Sequence, residues 1–307
     1  MSRANIKLLN KLRIFRKEKM NNRNWVLITG GTSGIGESTV VLLVKHGYEV
    51  ITTGRNEKQL AILDEYSDKI HPVYLDLINR RSITDAVEQI NRILAGSPLD
   101  ILINNAGYAQ SGFLLDLRIE QVDRQLQTNL INCFYLTSML VPSMLKASDP
   151  RIIFIGSIVG TMRTPWTGVY SISKAALAAL TDILRLELQP LGIRVSRLDL
   201  GSVATQLQQH TIRSSEWIDQ QQSYYAKIYD WLEETSYQSF YSLPAIPSTK
   251  VSEKILKLIT TRNLKSHYTL PRTAGFLLFI YKLIPQPLKE YLARRHFQLN
   301  EAHINRP

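Results

Sequence analysis

The chain has 307 residues, 44% apolar and 21% charged, with one cysteine, Cys133; this supports a sizeable core, gives no sign of disorder and excludes an intrachain disulfide. The net charge of +11 is concentrated at the ends: residues 1–19 carry seven basic side chains against Glu18, and residues 261–307 carry eight against Glu290 and Glu301. That distribution points to anionic surfaces met by the termini and argues against a nucleic-acid groove through the nearly neutral middle.

In chain order, residues 1–23 form a basic extension without the uninterrupted apolar run of a secretory signal. Ile6–Met20 fits a basic amphipathic anchor, or equally an artefact of start-site choice ahead of a domain that begins near residue 24. Residues 25–30 (WVLITG) predict a buried strand that runs into a glycine-rich turn, with a helix over 36–46. Strands follow at 48–53, at HPVYLD ending in Asp76, at 100–104, at 151–156 and at 193–199. Helical patterns fill the gaps at about 80–95, 118–146 and 168–189, with another near 250–261. Strands that are mostly continuous apolar runs and alternate with helices predict an α/β fold, a doubly wound parallel sheet of about seven strands with helices on both faces. The polar, tyrosine- and tryptophan-rich stretch 202–248 interrupts that rhythm. It fits a helical substrate lid beyond the strand ends, or a surface helical hairpin packed on the core. Residues 271–307 read as an amphipathic tail whose longest apolar run, Ala274 to Ile284, is interrupted by Lys282 and is about half of the ~20 residues a membrane helix needs.

Two constellations carry chemistry. Thr29-Gly30-Gly31-Thr32-Ser33-Gly34-Ile35-Gly36 follows the first strand and opens a helix, where glycines let the backbone approach a diphosphate and free N–H groups face it. The second strand ends Thr52-Thr53-Gly54-Arg55 with no carboxylate to repel a 2′-phosphate, and a guanidinium can pair with one, which favours NADP(H) over NAD. Further on, Tyr170 and Lys174 stand one helical turn apart, and a nearby ammonium favours the phenolate and so fits the tyrosine for proton transfer. Ser157, at the end of the fifth strand, is placed to hydrogen-bond the same carbonyl oxygen. The spacing Tyr-x-x-x-Lys is weak alone; Ser157 upstream and the glycine turn give it weight. The six histidines show no metal-ligand spacing, and Cys133 lies in an apolar helical stretch where burial is expected.

With these residues the chain resembles the short-chain dehydrogenase/reductase family in its single-domain branch, strongly over about 24–205 and weakly over 249–300. The resemblance implies a Rossmann-like fold over 24–270 and a cofactor site built from Thr29 to Gly36. It implies that Asp76 contacts the adenine and that Asn104-Asn105-Ala106-Gly107 steadies the sheet and borders the adenosine. Asn129, Ser157, Tyr170 and Lys174 match the family's catalytic set, with Asn129 holding a relay water and Lys174 binding the nicotinamide ribose. Gly201, Val203 and Thr205 resemble the segment beside the nicotinamide. Two departures stand out: Leu200 replaces a usual proline, which predicts a looser loop there, and Asn132 replaces a frequent glycine.

The implied activity is the interconversion of a ketone and a secondary alcohol. The stretch from Ser157 through Leu186-Glu187 is similar to the branch acting on lipid-like ketones, such as acyl-dihydroxyacetone-phosphate reductases, 17β-hydroxysteroid dehydrogenase-like enzymes and sphingoid ketone reductases. A hydrophobic carbonyl or alcohol substrate is therefore expected. The tail fits peripheral membrane contact, or equally a helix that closes the pocket or a subunit interface. The expected location is cytoplasmic, with or without membrane association. The family's habit of pairing through two long helices, here 118–146 and 168–189, implies a homodimer or tetramer. The competing functional class is a catalytically silent NADP(H)-binding sensor or scaffold, which has no physical need for all four catalytic residues.

Overall fold

A computed structural model describes residues 24–204, 223–234 and 245–304; the basic extension, Thr205 and much of the 202–248 insertion lie outside them. Seven parallel strands form the main sheet: β1 (Trp25–Ile28), β2 (Glu49–Gly54), β3 (Ile70–Tyr74), β4 (Ile101–Asn104), β5 (Arg151–Ser157), β6 (Arg194–Leu200) and β9 (His267–Leu270). Their order is β3-β2-β1-β4-β5-β6-β9. The order reverses between β1 and β4, which opens a crevice beyond the carboxyl ends of those two strands.

Helices cover both faces because alternate strand residues feed two separate cores. One core joins Leu27, Leu102 and Phe154 to α3 (Arg80–Leu94), α5 (Asn132–Met144) and α6 (Gly168–Leu188). The other joins Ile28, Ile103 and Ile153 to α1 (Gly34–Lys45), α2 (Glu57–Tyr66) and α8 (Ser248–Thr260). Helix α3 shows how the sequence sets its own limits. Asn79 accepts from the amides of Arg81 and Ser82 to start it, and Ala95, at φ 47°, ends it in the left-handed conformation. Its Ile83, Val87, Ile90 and Leu94 repeat at helical spacing and are all buried, each contributing roughly 1.5–3 kcal/mol.

Three features differ from the sequence expectation. The stretch 118–146 is helical as expected but not uniformly α: α4 (Ile119–Leu126) passes without a break through a π-helical turn, Gln127–Ile131, into α5. The seventh strand, β9, has no apolar run of its own and forms by pairing Leu198 with Tyr268 and Leu200 with Leu270. Leu200 does not loosen its loop: it completes β6, is buried, and is followed by Gly201, whose amide donates to Leu270 O at 2.8 Å.

The described ends of the 202–248 insertion are tied together as a two-stranded ribbon, β7 (Val203–Ala204) with β8 (Ile246–Pro247). Between them lies α7 (Ala226–Glu234). The tail folds as α9 (Arg272–Leu283) and α10 (Gln286–His296).

Candidate active site

The glycine turn after β1 is shaped by space that only hydrogen can leave. Gly30 and Gly34 have φ of +69° and +56°. A Cβ on Gly36 would lie 2.0 Å from Gly30 O, and one on Gly31 1.7 Å from Thr52 Oγ1, so the turn, α1 and β2 pack at backbone contact. A Cβ on Gly54 would lie 2.4 Å from Thr32 Cγ2, which sets Thr32 against the end of β2. Ile35 packs on the core behind the turn. Ser33 is the N-cap of α1 but makes no side-chain cap, so the helix start faces the crevice without a built-in acceptor. Such a terminus favours an anion, and the glycine cradle fits the diphosphate of a nicotinamide dinucleotide.

The loop after β4 is clamped to this turn. Thr29 Oγ1 accepts from the amides of Asn105 (3.0 Å) and Ala106 (2.9 Å), while Asn105 Nδ2 donates to Thr29 O (2.9 Å) and Gly30 O (3.2 Å). Asn104, the first residue of that motif, turns to the other side of the loop. Its Nδ2 donates to Thr137 Oγ1 on α5 at 3.0 Å, so it steadies the sheet from the opposite side. Asp76 Oδ1 accepts from the amide of Ile78 at 3.0 Å, which fixes the carboxylate just past β3. Arg55 is exposed past β2, and its charge is felt at Tyr108, just after Gly107. The Tyr108 hydroxyl is buried and has no hydrogen-bond partner among the described residues. Burial pushes it up to about 12, while Arg124 and Arg55 pull against that shift.

Lys174 ties α6 to β5, the strand that Ser157 ends, with Tyr170 beside it and Asn129 joined to the same helix through Ser173. Ser157 ends that strand; its Oγ donates to Leu200 O at 3.3 Å and accepts from the amide of Val159 at 3.4 Å. Both bonds are long, which leaves the hydroxyl easy to recruit. Lys174 is buried in α6, donates from Nζ to Ile155 O at 2.8 Å, and holds its ammonium 5.8 Å from the Tyr170 ring centroid. Burial pulls the Lys174 ammonium down to about 8, with the buried Cys133 and Asp199 pulling the other way. Cys133 itself is a core residue, as expected, its thiol pushed up to about 12 by burial.

Asn129 lies in the π-helical turn and is buried. Its Oδ1 accepts from the amide of Tyr108 (3.1 Å), and its Nδ2 donates to Tyr108 O (2.9 Å) and Ser173 Oγ (3.1 Å). Ser173 Oγ in turn donates to Tyr170 O at 2.8 Å. The side chain of Asn129 therefore braces the β4 loop against the helix of Tyr170. Asn132, the first residue of α5, donates to Leu77 O at 2.6 Å.

Sequence reading missed several residues that shape the site. Asp199 pairs in register with Gly156, where a Cβ would stand 2.1 Å from Asp199 Oδ1, and it accepts from Arg197 Nε at 2.8 Å. Arg197 also donates to Ala178 O on α6, so Asp199 faces that helix near Lys174. Trp166, four residues before Tyr170, has φ +70°, a left-handed backbone rare for a bulky residue. It is held there by an aromatic cluster of Phe113, Trp166, Ile228, Tyr229, Leu232 and Phe297. The rings of Phe113 and Tyr225 stack at 4.1 Å, and those of Trp166 and Tyr229 meet edge-on at 5.1 Å. Asp116 Oδ2 accepts from both Ser223 Oγ and Tyr229 OH at 2.8 Å, fastening α7 to the loop after β4. Gly201 and Val203 lie on the same side, at the ends of β6 and in β7; Thr205 falls outside the described residues.

An open parallel sheet with a glycine cradle at its switch point, and a serine, tyrosine and lysine gathered beside it, defines a dinucleotide-dependent oxidoreductase of the α/β class. The short chain dehydrogenase family model matches residues 24–216, and the chain belongs to that family. It is 27% identical over 284 residues to the uncharacterized oxidoreductase YusZ of Bacillus subtilis, covering 89% of this chain and 98% of that one. A variant of actinorhodin polyketide ketoreductase, solved with NADPH, superposes at a TM-score of 0.69 with 24% identity, over 80% of this chain and 95% of that one. The closed form of a serine dehydrogenase complexed with NADP+ superposes at 0.66 with 26% identity, over 81% and 95%.

Proposed function

We propose that this short-chain dehydrogenase is NADP(H)-dependent and interconverts a ketone and a secondary alcohol on a hydrophobic, lipid-like molecule, in the manner of the acyl-dihydroxyacetone-phosphate reductase and 17β-hydroxysteroid dehydrogenase-like branch. The observation that carries the substrate reading is the aromatic wall. Phe113, ahead of Asn129 in sequence, and Trp166, between Ser157 and Tyr170, are roofed by Tyr225 and Tyr229 of the insertion and by Phe297 of the tail. Such a wall suits an apolar chain or ring system better than a small polar alcohol. The NADP(H) reading rests on Arg55 beyond a β2 that ends without a carboxylate, and agrees with the NADP+ held by the serine dehydrogenase relative.

A nicotinamide bound in the crevice supplies or accepts the hydride. The glycine turn and the start of α1 hold its diphosphate, and Arg55 pairs with the 2′-phosphate. Ser157 Oγ leaves the Leu200 carbonyl to donate to the substrate oxygen. Tyr170 gives its hydroxyl proton to that oxygen in reduction and takes it back in oxidation. Lys174, one turn away, keeps a positive charge beside the phenol, which favours the phenolate left after transfer, and it binds the nicotinamide ribose. Asn129 and Ser173 fix the helix turn that carries Tyr170.

The test is oxidation of NADPH, compared with NADH, against ketones graded from short aldehydes to acyl-dihydroxyacetone phosphate, a ketosteroid and 3-ketosphinganine. Turnover is expected with a long-chain or ring-system member. Tyr170→Phe is expected to lower kcat by roughly 10²–10⁴-fold with NADPH affinity unchanged, and Arg55→Ala to erode the preference for NADPH. Preference for short polar substrates would reject the lipid-like reading. Full activity in Tyr170→Phe would reject the assigned acid, and NADPH binding without turnover would favour a sensor or scaffold.

A further inference from the structure

We propose that the helix pair α9 and α10 is a docking surface for an anionic lipid bilayer. The observation is the pair's failure to bury its own apolar side chains. On α9, Phe276, Phe279, Ile280 and Leu283 fall at i, i+3, i+4 and i+7, one face of the helix, and all four are exposed, Phe276 at 68% and Leu283 at 66%. The opposite face roots the helix through Ala274 and Leu278, its two buried residues. Helix α10 buries no side chain, although Leu288, Tyr291 and Leu292 repeat at i, i+3 and i+4. The two helices are joined by Ile284-Pro285, and Lys289 Nζ sits 4.6 Å from the Tyr281 ring centroid.

Water-facing apolar residues grouped this way on adjacent helices mark an interaction surface. The charge around them selects the occupant. Arg272, Lys282, Lys289, Arg294 and Arg295 lie on these helices against a single acid, Glu290. A second copy docked face to face would bring two such basic clusters together, which Coulomb repulsion opposes. An anionic headgroup layer attracts the same cluster while the acyl boundary takes the phenyl and leucyl side chains, the pattern of a helix lying in a membrane interface. Among the described residues no helix is long and apolar enough to cross a bilayer, so the contact is with its surface. The surface also borders the proposed substrate wall, since Phe297, directly after α10, is buried in the aromatic cluster with Trp166 and Tyr229. A hydrophobic molecule leaving the bilayer would meet that wall first.

The experiment uses the full chain with phosphatidylcholine vesicles, with and without about a third phosphatidylglycerol. Cys133 is the sole cysteine and is buried, so a polarity-sensitive dye on Phe279→Cys reports from α9 alone. Flotation with the anionic vesicles is expected, roughly tenfold stronger than with neutral ones and weakened by added salt, with a blue shift of the dye. The combined variant Phe276→Ser, Phe279→Ser, Leu283→Ser is expected to lose flotation while keeping its melting temperature and NADPH affinity, because these side chains support no core. The proposal is overturned if anionic vesicles do not bind, or if the triple variant binds as well as the parent, which would assign binding to another segment such as the basic extension. It is equally overturned if the triple variant dissolves a dimer without changing flotation. None of these readouts depends on turnover, so failure of the reaction assignment leaves them interpretable.

Discussion

At Lys174 an ammonium is held where water is excluded, its Nζ bonded to a strand carbonyl and its nearest acidic neighbour, Asp199, already bound by Arg197. Burial favours the neutral amine, and its folded value of about 8 lies below the ordinary 10.5. Between those two values the unfolded chain binds more protons than the folded one, so stability contributed here rises with pH across that window and is lowest below it. Lys174→Met is therefore expected to abolish turnover yet add stability near neutral pH, on the order of 3 kcal/mol at most, read as a higher melting temperature. Melts taken from pH 7 to pH 10.5 should show the gap between variant and parent narrowing. A variant that melts lower than the parent at pH 7 would mean that the Ile155 bond outweighs desolvation. Asp199 belongs to the same balance but was not legible from sequence, because its closeness to α6 depends on the register of β6 against β5.

The elements that enclose the site differ in how far a linear reading can reach them. The glycine turn and the Tyr170–Lys174 pair are local: each is a short run of residues in one element, and both stand where the sequence predicts. The π-helical turn at Asn129 is not local, since its bonds run to Tyr108 and Ser173, 21 and 44 residues away. Strand β9 is an edge strand without a buried run and takes its conformation from β6. The link between α7 and the β4 loop is of this second kind. Asp116 accepts hydroxyl bonds from Ser223 and Tyr229, and Tyr229 OH also accepts from the amide of Phe113 at 3.2 Å. Hydrogen bonds to a charged acceptor are worth about 1.5–3 kcal/mol each. Asp116→Ala is expected to free α7 and raise KM for the hydrophobic substrate several-fold, with NADPH affinity unchanged. Equal losses in both affinities would place Asp116 in the general scaffold instead.

At the scale of the molecule, the long helices present a second apolar face. Ile131, Phe134 and Leu145 follow the first long helical stretch at spacings of three and eleven residues. Ile172, Ile183 and Leu186 repeat the same spacings in reverse order on α6. Three turns of helix take about eleven residues, so each trio shares a face. A second copy is expected to cover this face. Light scattering on the purified chain is expected to give a dimer or tetramer, and Phe134→Glu with Leu186→Glu to give monomers. A monomeric parent would leave that face to another partner.

Phe297 sits far from the cofactor turn in sequence but packs in one cluster with Trp166, four residues before Tyr170. A ribosome delivers it after all seven strands of the sheet. The nucleotide crevice can thus assemble on the nascent chain while the substrate side still stands open. On the proposed substrate reading, choice of substrate is acquired later in synthesis than the hold on the cofactor.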